Sequence, residues 1–87
     1  MLIVVNHRIS NPQEFWGAAQ RELPNLPKGI KLIQSLPNAE GNLASCVWEA
    51  DSVQHLSTYL EGVTGSFAKN EYMAVETKNA MNLPHAH

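Results

Sequence analysis

The chain predicts an α+β fold in the order strand, helix, strand, strand, helix, strand, with four antiparallel strands and both helices on one face of the sheet. Three observations predict it. Short β-branched runs alternate with stretches of helical apolar spacing. Proline, glycine and asparagine punctuate the boundaries between them. At 87 residues the chain holds one domain, spanning 1–87 with an irregular tail over 78–87.

LIVVNHRI, residues 2–9, is short and β-branched and reads as a strand. Leu2 and Val4 fall on one face and Ile3 and Val5 on the other. A strand apolar on both faces is normally central and covered on both sides. A helix follows. Asn11 caps it, Pro12 suits the first turn, and Glu14 stands three residues after the cap. Phe15, Ala18, Ala19 and Leu23 then form one stripe before Pro24 and Pro27 end it.

The second strand is GIKLIQSL, residues 29–36, and the turn-rich PNAEGN joins it to a third, LASCVWEA, residues 43–50. Asp51 is the expected cap of the second helix, with Gln54 in the reciprocal position. Val53, Leu56, Leu60 and Val63 keep helical spacing, and Gly62 or Gly65 is the expected left-handed closure. YMAVET, residues 72–77, reads as the fourth strand. With right-handed crossovers this order is the ferredoxin-like split βαβ arrangement.

Composition narrows the functional classes. Net charge is −2, with only six Lys and Arg, and no basic cluster of the kind that displaces counterions from phosphates, so no nucleic-acid partner is expected. No run approaches the ~20 apolar residues that span a bilayer, and MLIVVNHR lacks the flanks of a secretory signal. A cytoplasmic protein without a membrane partner is the expectation. The lone Cys46 excludes an internal disulfide. Two helices cover one face of the sheet, which leaves the other wet, and an apolar patch on so small a chain is usually an interface. A sheet-to-sheet homodimer is expected.

This layout resembles the dimeric α+β barrel superfamily, whose subunits pack sheet against sheet. That resemblance implies any of several roles, among them cofactor-free monooxygenases, isomerases and stress-responsive proteins, and fold alone does not choose. Cys46, Glu49, Ala50 and Gly65 are similar to a subgroup of small proteins that includes a nickel-binding member. In that subgroup histidines stand where this chain has Leu60 and Thr64, so the fold and dimer are carried over and the nickel is not. No metal or cofactor is assigned.

The residues support two main functional readings. In the first, a small apolar or aromatic molecule binds between sheet and helices, a setting in which apolar and aromatic linings are common. In the second, the chain is a cofactor-independent monooxygenase or isomerase in which His7 moves a proton, Asn6 orients, and Trp48 and Tyr72 form the wall. A metal-binding or stress-response accessory role stands third. Cys46 reads as a small core hydrophobe with a raised thiol pKa, and His7 is the only plausible cation beside it. His55 reads as solvent-facing, and Glu49 and Asp51 as helix-start electrostatics. His85 and His87 have chelating spacing but lie on a chain end, where preorganised sites are poor.

Overall fold

The computed structural model describes residues 1–83. Its elements are β1 (Leu2–Ile9), α1 (Pro12–Glu22) with a 3-10 turn at Leu23–Asn25, β2 (Lys31–Pro37), β3 (Leu43–Glu49), α2 (Val53–Thr64) and β4 (Ala68–Ala74). The sheet order is β2-β3-β1-β4 and every pairing is antiparallel, which is the ferredoxin-like arrangement the sequence predicts. The two histidines with chelating spacing, His85 and His87, lie outside the described residues.

Alternation along β1 sets the two faces. Ile3, Val5, His7 and Ile9 are buried, whereas Asn6 and Arg8 are exposed and Val4 is half-buried. On β3 the buried residues are Ala44, Cys46 and Trp48. These rows meet the helices through Leu56 and Leu60 of α2, and through Phe15 of α1 beside Ile9 and Ala44. Ile3, Val5 and Leu56 are the largest fully buried side chains, so the hydrophobic contribution is concentrated where β1 meets α2.

α1 begins as expected, with the Glu14 amide donating to Asn11 Oδ1 at 3.2 Å. α2 does not. Its cap is Ser52, extended at φ −158° and ψ 157°, whose Oγ accepts from the His55 amide at 3.0 Å. Asp51 lies one residue too early to reach that amide, and its carboxylate meets His55 Nδ1 instead, at 2.6 Å. Gln54 donates forward to Thr58 Oγ1 rather than back to the cap. Gly65 closes the helix at φ −60°, in right-handed rather than left-handed conformation. It is needed there for space, because a Cβ would stand 2.5 Å from the Glu61 carbonyl oxygen.

The largest departure is β4, which runs over Ala68–Ala74 and not 72–77. Its first half, AKNE, has no apolar run to announce it. The ladder to β1 decides the matter, pairing Ile9 with Ala68, His7 with Asn70, Val5 with Tyr72 and Ile3 with Ala74. β2 starts two residues later than expected, and a bulge between Leu32 and Gln34 puts Ile33 out of register. In the turn before β3, Gly41 takes φ 74° and its carbonyl accepts from Trp16 Nε1 at 2.8 Å, which ties α1 to the hairpin.

Ser52→Ala should therefore cost about 1 kcal/mol in a urea melt, the usual loss for a helix cap. Asp51→Ala should cost clearly less, and an equal or larger loss there would contradict the assignment of the cap.

Candidate ligand cavity

A cavity of about 150 Å³ lies between the helix-facing side of the sheet and the two helices. Its wall is mostly apolar, with Phe15, Leu26, Leu32, Leu60 and Val63 among the contributors, and no Lys, Arg, Asp or Glu lines it. Gln20, Leu23 and Ser35 are the exposed members of the lining and mark its mouth, between α1 and the edge strand β2. At the rim Tyr59 donates its hydroxyl proton to Glu22 Oε1 at 2.6 Å, joining α2 to the end of α1. Burial and that carboxylate raise the Tyr59 phenol well above its ordinary range, so it stays a donor.

Few polar atoms line this wall. Trp48 is buried, and its Nε1–H has no partner among the described residues. Trp16, on the same wall, has its indole donor satisfied by Gly41. Leaving a buried donor unpaired costs about 1–3 kcal/mol.

His7 is a further polar group of the wall. Its Nδ1 lies 2.6 Å from Asn70 Oδ1. Asn70 Nδ2 donates to Glu61 Oε2 at 2.8 Å, and the carboxylate also accepts from the Tyr72 hydroxyl at 2.6 Å. A carboxylate only accepts, which fixes the Asn70 amide with its oxygen toward the imidazole. The proton in the His7–Asn70 bond therefore belongs to Nδ1. Nε2 is then an unprotonated acceptor, with no hydrogen-bond partner among the described residues. Phe15 packs against the ring at a centroid distance of 5.1 Å. Burial lowers the His7 pKa from its ordinary 6.5, against opposing pulls from the Asn70 bond and the charge of Glu61. A neutral imidazole held this way can accept a hydrogen bond or a proton from a bound molecule.

Cys46 shares the wall. Val5 pairs with Cys46 and His7 with Ala44, so His7 and Cys46 are diagonal neighbours on one face. The thiol donates to Ser35 Oγ at 3.6 Å, and burial pushes its pKa up. A neutral His7 supplies no cation to oppose that shift, and the geometry favours a protonated packing residue over a nucleophile.

Of the four residues singled out from sequence, the fold brings His7 and Trp48 onto the cavity wall. Tyr72 shares their side of the sheet but turns its hydroxyl to Glu61. Asn6 points to the opposite face, where its Oδ1 accepts from Ser45 Oγ at 2.6 Å. Asn70 and Glu61, which set the imidazole, are not among the residues the sequence singles out. The signal for Asn70 was the alternation of Ala68, Asn70 and Tyr72 with the exposed Lys69, Glu71 and Met73. For Glu61 no sequence signal stood out from an ordinary exposed helix position. No group of three or more His, Cys, Asp or Glu suited to a metal occurs among the described residues, and none of their helices is long and apolar enough to cross a membrane. Comparison of the chain with family models, curated proteins and solved structures found no match.

As pH falls below 6.5 the unfolded chain takes up a proton at His7 before the folded chain does. The contribution of His7 to stability is thus full above that pH and is lost as pH drops toward the lower folded value. Urea midpoints at about pH 7.5 and about pH 5 should show a larger acid loss for the native chain than for His7→Gln. Equal losses would show that His7 is not held neutral.

Proposed function

We propose that this protein is a homodimeric small-molecule-binding protein of the dimeric α+β barrel kind, which takes an apolar or aromatic molecule into the cavity between sheet and helices. One observation carries the reading: a preformed, mostly apolar cavity of about 150 Å³ between the sheet and the helices. A dry cavity of roughly this volume, lined by Leu, Ile and Phe, accepts benzene. The volume therefore suits a single aromatic ring.

The dimer rests on the opposite face of the sheet. Val4 and Val47 are half-buried there, and Leu36, Leu43 and Met73 are exposed. Arg8, Lys69 and Glu71 share that face, so a second copy would meet both apolar area and charges of either sign. Sheet-to-sheet pairing would bury the stripe and add stability to a subunit of 9.6 kDa.

Two measurements test these parts separately. Benzene added to ¹⁵N-labelled protein should shift the indole resonance of Trp48 and the amides of Leu60 and Val63, with saturable dependence on concentration. Shifts scattered over the surface, or none, would remove the cavity from consideration. Sedimentation equilibrium should give twice 9.6 kDa for the native chain and a monomer for Val47→Asp. A native monomer would overturn the dimer.

A further inference from the structure

The His7–Asn70–Glu61 chain has an asymmetry that narrows the ligand class, a narrowing that rests on the reading of the cavity as a binding site. Glu61 fixes the Asn70 amide, Asn70 holds the Nδ1 proton, and Nε2 is left as a lone pair on a residue of the cavity wall. The Trp48 Nε1–H is also unpartnered among the described residues, but it is fully buried and is not offered to the cavity. The wall thus offers an imidazole acceptor among mostly apolar neighbours. A hydroxyl is the smallest group that answers it, since it has a proton to donate.

Charge narrows the class further. No cationic side chain lines the cavity, and burying a carboxylate without a partner is expensive. A carboxylate also has no proton to give to Nε2. A plain hydrocarbon ring fills the space but leaves the imidazole acceptor unsatisfied.

We propose that the cavity selects a neutral single-ring aromatic alcohol, whose hydroxyl donates to His7 Nε2, and that Asn70 and Glu61 are positioning residues that set the imidazole for this bond. Other histidine tautomers reverse the preference, because an Nε2–H ring would seek an acceptor and favour anions or carbonyls. The specificity of the site is therefore carried by residues outside the cavity.

The experiment is an NMR titration of the native chain with phenol, benzene and benzoate, read at the Trp48 indole and the His7 ring nitrogens. Phenol should bind about tenfold more tightly than benzene, as one added hydrogen bond would give, and benzoate should bind more weakly than either. The free protein should show the Nδ1–H form of His7, a readout that needs no variant. Asn70→Ala should bring phenol down to the affinity of benzene while leaving benzene binding unchanged. Equal affinity for phenol and benzene would overturn the selectivity while leaving the cavity reading intact. Benzoate binding most tightly, or an Nε2–H imidazole in the free protein, would overturn it as well. Failure of all three probes to bind would remove the cavity reading itself.

Discussion

Every feature of the cavity depends on β1 being paired along both edges. A central strand can afford no unpaired amides, so β3 and β4 must both lie antiparallel to it over nearly its whole length. That constraint fixes which side chains look toward the helices. Ile3, Val5, His7 and Ile9 form one inward row because a strand alternates with period two, and a slip of one residue would send all four to the other face. The core and the polar group of the cavity are thus set by one register.

An imidazole in such a row needs a partner, because a buried polar group without one costs more than packing returns. The ladder supplies it. Asn70 stands directly opposite His7, and Glu61 reaches from α2 to hold Asn70. The outcome is a neutral ring with a defined tautomer, in a wall whose remaining members are chiefly apolar. Trp48 shows the contrary case. Its indole donor is buried without a partner among the described residues, at the cost of one unmade hydrogen bond.

The departures from sequence expectation share one cause. Local pattern favours a fourth strand at the apolar run YMAV, whereas pairing with β1 draws it back to Ala68 through polar residues that no propensity favours. Asp51 is as good a capping residue as Ser52, and the choice between them turns on where α2 has to start to lay Leu56 and Leu60 on the sheet. Gly65 serves a close approach to the Glu61 carbonyl rather than a left-handed closure. In each case long-range packing selects among local options of similar free energy.

The sequence by itself determined the element order, the central place of β1 and the cap at Asn11, because periodicity and turn chemistry are local properties. Only the tertiary structure decided that Asn70 faces His7, that Glu61 orients Asn70, and that Asn6 and Tyr72 turn away from the cavity. Those relations join residues up to 63 apart in the chain. They arise from strand register and helix placement, and no window of neighbouring residues contains them.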